Sequence, residues 1–159
     1  KEADWLRFNK EGGMTREVIS HFIFFSERVL GLLELKWAKV IYPKDKLLCE
    51  TDVLARLETR DSKCVNILAS VGGAQPDRQE MTVRGTAKSR RISEFYKDSE
   101  SNGLEFIPLR EEPKDPRAVS LKAQLDDLEI AYYGHPNKLA KVDEALRVQV
   151  LIESILASK

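Results

Sequence analysis

A run of mainly apolar residues from Arg16 to Ile41 constrains the fold of this chain more than any other feature. Gly12-Gly13 precede the run and Pro43 follows it. Further apolar residues spread around most of the helical circumference, which is typical of a helix packed on several sides. The run therefore predicts a long N-terminal helix of about 40 Å, at about 1.5 Å per residue, as the centre of the fold. The apolar positions at helical spacing are Val18, Phe22, Phe25, Val29, Leu32, Leu33 and Val40.

Shorter elements are predicted in the middle of the chain. Glu50 to Thr59 is typical of a second helix. Cys64 to Val71, which ends at a glycine pair, is typical of a strand, with a helix as the competing interpretation. Gln79 to Thr86 is typical of a second strand that pairs with it as a small antiparallel hairpin. Leu104 to Leu109 is another extended run, and its proline confines it to a sheet edge.

Two helices are predicted near the C-terminus. Residues 117–133 carry apolar side chains at helical spacing, and Gly134 stands at the C-terminal cap position. After a short corner, residues 139–155 continue as a final helix. A corner this short makes the two helices antiparallel neighbours. We therefore expect a helix-dominated α+β fold, in which the long N-terminal helix packs on a C-terminal antiparallel helical hairpin beside a small central antiparallel sheet.

Length and charge indicate an intracellular domain. The chain has 159 residues, 42% of them hydrophobic, which suffices for one core, so a single domain over residues 1–159 is expected. The chain starts without Met, so it is expected to be a fragment of a longer protein. Its 26 basic and 26 acidic residues balance, and no overall field attracts nucleic acid or a membrane. Sparse cysteines and the lack of a membrane span favour a cytoplasmic or nuclear location.

Enzyme motifs are missing from the sequence. There is no nucleophile elbow, no Walker loop, no His-Glu-x-x-His and no Rossmann glycine fingerprint. His21 lies in the predicted long helix, which favours a partly packed structural histidine, and His135 lies in the corner before the last helix. Neither has a histidine or cysteine at metal-ligand spacing. The sequence thus predicts no catalytic residue, no metal and no cofactor, and it favours a chain that is not an enzyme.

The centre of the chain carries the predicted contact surface, which we call the basic central segment (residues 77–97). It holds six basic and three acidic residues, whereas residues 98–133 hold nine acidic and four basic ones. Intramolecular pairing of the two blocks is one interpretation, and contact with a partner is the other. Ser93 follows two arginines, as in the sites of basophilic kinases, and is the predicted phosphorylation site. The predicted residues for binding a partner or phosphate are Arg84, Lys88, Arg90, Arg91, Phe95 and Tyr96.

Ser89 to Tyr96 also resembles the sliding-clamp-binding box. In that box an aliphatic residue and an aromatic pair share one helical turn, and Ile92, Phe95 and Tyr96 match these positions. Ser89 stands in place of the glutamine of the box. The resemblance implies a protein partner. In the competing interpretation, the same three side chains anchor a short helix to the core.

These observations predict a non-catalytic protein–protein interaction or regulatory module that uses the basic central segment. The first alternative is a nucleic-acid-binding domain, in which the same segment contacts phosphates and stacks on a base. The second is a metal-dependent nuclease, in which Asp77 and Glu112 hold magnesium. A membrane-spanning segment is not expected. A homo-oligomer could form through the long N-terminal helix.

Overall fold

The computed structural model describes residues 3–158, which divide into two compact units. The first unit combines the chain up to Ala74 with the chain from Ala140 onward, and the second runs over Gln75–Leu139. In chain order the elements are a 3₁₀ turn (Asp4–Arg7), a π-helical turn (Thr15–Ile19), α1 (Ser20–Leu30), β1 (Leu33–Ile41), β2 (Asp52–Thr59), β3 (Cys64–Ser70), β4 (Glu80–Arg84), β5 (Ser89–Ser93), β6 (Lys97–Ser101), β7 (Ile107–Pro108), α2 (Pro116–Tyr132) and α3 (Val142–Leu156).

The first unit is built on an antiparallel sheet of order β1-β2-β3. Alternate residues of the central strand β2 are buried, starting with Val53, Ala55 and Leu57. Ile23 of α1 and Ile152 of α3 belong to the same buried apolar cluster. One face of the sheet and the two helices therefore enclose the core of this unit.

The predicted long helix over residues 16–41 is wrong, because this stretch forms α1 and then β1. Gly31 follows α1 with φ 106° and ψ 178°, a backbone conformation that is essentially confined to glycine and that ends the helix. In β1 the register shifts between Leu35 and Trp37. The bulge displaces the two-residue alternation of the strand by one position, and the apolar spacing then imitates that of a helix.

The second predicted helix, Glu50 to Thr59, is also wrong, because Asp52–Thr59 is strand β2. The two predicted strands are confirmed as β3 and β4. Their predicted pairing is wrong, since β3 pairs with β2 and β4 pairs with β5. Both strands find their partners nearer in the chain, across shorter connections.

The second unit contains an antiparallel sheet of order β4-β5-β6-β7 and the helix α2. Strand β7 lies at the sheet edge, which confirms the edge position predicted for Pro108. Asp115 caps α2, since its Oδ1 accepts hydrogen bonds from Arg117 N at 3.0 Å and Ala118 N at 3.1 Å. Pro116 at the first helical position has no N–H to satisfy.

The two C-terminal helices are confirmed as α2 and α3, but the predicted helical hairpin is wrong, because the helices belong to different compact units. The helix-dominated fold class is wrong as well. The described residues form three α-helices and seven strands, a mixed α/β architecture. Among residues 3–158, no helix is both long enough and apolar enough to cross a membrane.

Candidate functional site

The basic central segment forms ion pairs with the acidic residues that follow it. Lys88 Nζ lies 2.6 Å from Glu100 Oε1, and Arg90 Nη2 lies 2.7 Å from Asp98 Oδ2. The hydrogen bond with Asp98 raises the pKa of Arg90. Strands β5 and β6 place these residues side by side, because Arg90 pairs in register with Glu100. Intramolecular pairing of the two charge blocks is therefore observed.

Arg91 contacts two groups of its own unit. Its Nε lies 3.4 Å from Glu80 Oε1, and its guanidinium carbon lies 3.7 Å from the centre of the Phe106 ring. A cation this close to an aromatic face is attracted by the ring. Arg84 is exposed at the end of β4. The structure thus brings Arg90, Arg91 and Lys88 onto one sheet, and a role for them in binding a partner stays a prediction.

The segment around Ser93 forms a strand and a tight turn. Ile92 and Ser93 end β5, and Glu94 and Phe95 follow with φ values of 52° and 65°. The short helix expected for Ile92, Phe95 and Tyr96 is wrong, because two left-handed residues cannot continue a helix. Phe95 is exposed at the turn, and Tyr96 donates a hydrogen bond from its hydroxyl to Glu94 Oε2 at 3.1 Å. Phosphorylation of the half-buried Ser93 stays a prediction.

The two carboxylates of the nuclease alternative have no metal-binding cluster around them. Glu112 Oε1 lies 3.3 Å from Lys97 Nζ, which is also 3.0 Å from Glu94 Oε1. Hydrogen bonds with these two carboxylates raise the pKa of Lys97, with Glu94 the larger influence. Within residues 3–158 there is no group of three or more His, Cys, Asp or Glu side chains that could hold a metal ion.

A π-helical turn at Thr15–Ile19 marks a second candidate site, in the first unit. Such turns are rare, and they are frequent at functional sites. Glu50 is only 2% exposed and supports the turn from the interior. Its Oε1 accepts hydrogen bonds from Thr15 N at 2.8 Å and from Thr15 Oγ1 at 2.6 Å. Two hydrogen bonds to this buried side chain thus hold the turn in place.

Arg16 attaches the same turn to α3. Its Nε and Nη2 donate to Glu153 Oε1 and Oε2 at 2.7 Å and 2.9 Å, a bidentate pair. Its Nη1 donates to the carbonyls of Asn9 at 2.8 Å and Gly12 at 3.0 Å. The hydrogen bond with Glu153 raises the pKa of Arg16, and the Arg16 guanidinium lowers the pKa of Glu153. Two segments distant in sequence, at Glu50 and Glu153, together with the loop that precedes the turn, thus fix its conformation.

The π-helical turn and α1 together display polar and aromatic groups on one exposed side. Glu17, His21, Phe25 and Arg28 recur at intervals of four, four and three residues, and each is exposed. This spacing places a carboxylate, an imidazole, an aromatic ring and a guanidinium next to each other along the helix. We call these four residues the α1 face. The α1 face therefore presents polar groups and one aromatic ring at the surface.

His21 was expected to be a partly packed structural histidine, and in the structure the residue is exposed. No sequence pattern marks the π-helical turn before it. The glycine pair Gly12-Gly13 is the nearest signal, since both glycines are buried and closely approached by other groups.

The α1 face is anchored to α3 by one ion pair. Arg28 Nε and Nη2 donate to Glu144 Oε1 and Oε2 at 3.0 Å and 2.8 Å, and Lys141 N donates to Glu144 Oε2 at 2.8 Å. Hydrogen bonds from the Arg28 guanidinium, and secondarily from the Lys141 backbone, lower the pKa of Glu144 from its ordinary value of 4.5 to about 2. The carboxylate is therefore charged in the folded chain even in moderately acidic solution.

Acid is expected to weaken this junction. The folded-state pKa of Glu144 is depressed from 4.5 to about 2, so its contribution to stability is complete above the unfolded pKa and is lost as the pH falls through that interval. Glu144→Gln should lower the free energy of unfolding at neutral pH and reduce its decline in acid. Urea unfolding at a series of pH values measures both effects. The control is Glu105→Gln, which removes an exposed carboxyl group of the second unit. If the free energy of unfolding of Glu144→Gln depends on pH in the same way as that of the unchanged chain, the prediction is contradicted.

Comparison with known proteins reveals similarity at the level of structure alone. No protein-family model and no curated protein sequence matches this chain. The WlbA dehydrogenase from Bordetella pertussis, solved with NADH and UDP-GlcNAcA, is 16% identical, with a TM-score of 0.67 over 97% of this chain and 48% of that chain. The dehydrogenase MviM from Clostridium difficile is 12% identical, with a TM-score of 0.72 over 94% of this chain and 48% of that chain.

A third similar structure is the UDP-N-acetylglucosamine 3-dehydrogenase GnnA from Acidithiobacillus ferrooxidans. It is 13% identical, with a TM-score of 0.69 over 90% of this chain and 46% of that chain. The chain thus spans about half the length of these three proteins. Identities this low show a shared fold alone, over part of each of these dehydrogenases.

These neighbours overturn the functional prediction from the sequence. A non-catalytic interaction or regulatory module was expected, and an enzyme was not, whereas the similar structures are dehydrogenases. The nucleic-acid-binding and nuclease alternatives are wrong for the same reason. The sequence contained no sign of this relationship, because the fold is shared at identities of only 12% to 16% in these three structures.

Proposed function

We propose that this chain is part of an NAD(P)-dependent oxidoreductase that acts on the sugar of a nucleotide sugar. The observation that carries the proposal is the shared fold over 90% to 97% of the chain with WlbA and GnnA. The first was solved with NADH and UDP-GlcNAcA, and the second is a UDP-N-acetylglucosamine 3-dehydrogenase. Both substrates join a sugar to a uridine diphosphate. An intracellular, cytoplasmic location accords with such substrates, and a nuclear one has no support.

The residues of this chain do not fit the usual binding mode of the dinucleotide. A Rossmann fold holds the pyrophosphate at a glycine-rich loop between a parallel strand and a helix N-terminus. All strand pairs among residues 3–158 are antiparallel, and the glycine fingerprint is missing from the sequence. The proposal therefore assigns the pyrophosphate of NAD(P) to residues outside this chain. The chain itself would supply the substrate side of the active site.

The α1 face is proposed to contact the reacting sugar. Oxidation of a sugar hydroxyl to a ketone releases a proton in addition to a hydride, so a general base must lie within hydrogen-bond reach of that hydroxyl. Histidine is the side chain most often used for this task near neutral pH. His21 is exposed just after a π-helical turn that Glu50 and Arg16 hold in place. His21 is thus our candidate for the proton acceptor, and Phe25 offers an apolar surface one turn further along the helix.

Turnover of a nucleotide sugar tests the proposal. The polypeptide encoded by the complete gene is incubated with NAD⁺ or NADP⁺ and a panel of uridine- and thymidine-diphosphate sugars, and the reduced cofactor is followed by its absorbance. We expect reduction that depends on the nucleotide sugar. His21→Gln is expected to lower kcat by roughly 10²- to 10⁴-fold, the usual contribution of a general base, with little change in KM.

The second histidine of the chain provides the control for this substitution. His135 follows α2 and belongs to the second compact unit, whereas the α1 face belongs to the first. His135→Gln should therefore retain the kcat of the unchanged protein. Lack of cofactor reduction with every sugar of the panel contradicts the proposed substrate class. Equal kcat values for His21→Gln and the unchanged protein contradict the role of His21 alone.

A further inference from the structure

The apolar side of α2 is exposed to solvent. None of the residues of Pro116–Tyr132 is buried. Leu121, Leu125 and Leu128 are 54% to 57% exposed, and Tyr132 is 84% exposed. Together with Ala118 these residues recur at alternating intervals of three and four, the spacing of a coiled-coil seam. We call these five residues the α2 seam. Contact with a second apolar helix would remove the α2 seam from water.

Opposite charges border the α2 seam on the same side. With Ala118, Leu125 and Tyr132 at the a positions of a heptad, Lys122 and Glu129 both occupy e positions. In an antiparallel helix pair, e positions of one helix lie opposite e positions of the other. Lys122 of each helix would then face Glu129 of the other. Charges at these positions decide the partner and the orientation of paired helices.

A parallel pair of the same helices would be disfavoured. In that orientation g positions face the e positions of the partner helix, and Arg117 at g would meet Lys122 at e. Two like charges would then oppose each other on each side of the seam. The charge pattern of α2 is thus complementary to a second copy of itself in the antiparallel orientation only.

We propose that α2 is a dimerisation helix, which pairs with α2 of a second copy of this chain as an antiparallel coiled coil. In an antiparallel coiled coil, a positions pack against d positions of the partner helix, so a two-fold axis midway between Leu125 and Leu128 brings Leu125 of each helix against Leu128 of the other. The same axis brings Leu121 against Tyr132. Each contact occurs twice, as an isologous interface requires. The proposal does not depend on the enzymatic activity.

The expected dimer is weak. Five seam residues from each helix cover less area than a standard interface, which buries about 1,600 Å² in total. Within the single helix, Lys122 Nζ already lies 2.6 Å from Asp126 Oδ2. Exposed pairs of this kind contribute little, so Lys122 remains able to interact with a second carboxylate. We therefore expect a dimer that dissociates on dilution.

An exchange of charges tests the orientation directly. Sedimentation velocity over a concentration series gives the association constants of the unchanged chain, of Lys122→Glu, of Glu129→Lys and of the double variant. Each single substitution creates two like-charge contacts and is expected to lower the association constant roughly tenfold or more. The double variant restores opposite charges and should return to within about threefold of the unchanged chain, because the pairs are equivalent.

A control on the back of the helix separates dimerisation from a change in α2 itself. Ala123→Glu places a new carboxylate at the f position, opposite the seam, and should leave association unchanged. Circular dichroism confirms that each variant keeps its helices. A chain that stays monomeric at all concentrations overturns the proposal and points to another segment as the partner of the seam. Failure of the double variant to restore association overturns it as well.

Disulfide trapping gives an independent readout of the same geometry. In a Cys64→Ser background, which removes the exposed native thiol, an equimolar mixture of Leu125→Cys and Leu128→Cys should form disulfide-linked heterodimers under mild oxidation, because an antiparallel pair places these two positions opposite each other. Leu121→Cys should not link to itself, since the same pair places it opposite Tyr132. Efficient linkage of Leu121→Cys to itself would indicate a parallel pair and overturn the proposal.

Discussion

Alanine in place of Gly13 is expected to destabilise the first unit by roughly 2–5 kcal/mol, through a strained backbone and an overpacked interior. Gly13 has a φ of 107°, where an L-residue meets a steric penalty. An added Cβ would lie 2.6 Å from Oε2 and 2.9 Å from Oε1 of Glu50. The buried carboxylate would have to move, and its hydrogen bonds with Thr15 would be weakened. Urea unfolding followed by circular dichroism measures the loss.

Gly31→Ala is the matched control for this substitution. Gly31 has a nearly identical φ of 106°, and a Cβ there would have no atom within 4 Å. Its replacement should therefore cost only the backbone strain of this glycine-specific conformation, roughly 1–3 kcal/mol. The difference between the two variants isolates the contact with Glu50. Equal losses of unfolding free energy in the two variants would show that the Glu50 side chain moves away from the new methyl group without a free-energy penalty. Its contribution to the stability of the π-helical turn would then be negligible.

The elements that sequence patterns predicted well are those defined by local signals. The apolar spacing of α2 is regular, Asp115 caps its start, and Gly134 follows its end with a φ of 75°. These signals lie within one or two turns of the helix they define. Strand β3 was also predicted, because a glycine pair ends its short apolar run. Local sequence signals define these elements, so the sequence alone was sufficient to predict them.

Strands β1 and β2 were predicted as helices because so many of their residues are apolar that the apolar spacing fits both a strand and a helix. In β2 the buried set Val53, Ala55, Leu57 and Thr59 has the two-residue period of a strand, while Val53, Leu54 and Leu57 equally fit a helix. In β1 the bulge after Leu35 interrupts the alternation. Pairing between the two strands, a tertiary interaction, settles the choice in favour of the sheet.

Contacts across long stretches of sequence explain why the α1 face was missed. Thr15 and Glu50 lie 35 residues apart, and Arg16 and Glu153 lie 137 residues apart. No local pattern links them, yet they hold the turn that precedes His21.

The basic central segment shows the opposite case. Arg90 and Asp98 are only 8 residues apart in one hairpin, so their pairing was accessible to sequence reasoning as the intramolecular interpretation.

Ile152→Ala is expected to destabilise the first unit by roughly 2–5 kcal/mol, the usual loss when a buried isoleucine is truncated in a core. Ile152 is 0% exposed and belongs to the apolar cluster that α3 shares with β2. Ile152→Val should lose only about 0.5–1.5 kcal/mol, since one methylene is removed. Val150→Ala, at a position 58% exposed on the same helix, controls for changes in helix propensity.

Hydrogen exchange locates the effect of Ile152→Ala within the chain. Helix α3 follows the second unit in sequence but belongs to the same buried cluster as the sheet β1-β2-β3. Loss of this packing should make the amides of β2 exchange faster. If these amides exchange by global unfolding, their exchange rate rises about tenfold for each 1.4 kcal/mol of lost stability. The amides of β5 belong to the other compact unit and should keep their protection. Equal acceleration in β2 and β5 would mean that the two units unfold as one cooperative structure. Unchanged exchange in β2 would mean that α3 does not stabilise the sheet, in contradiction to the buried contacts of Ile152.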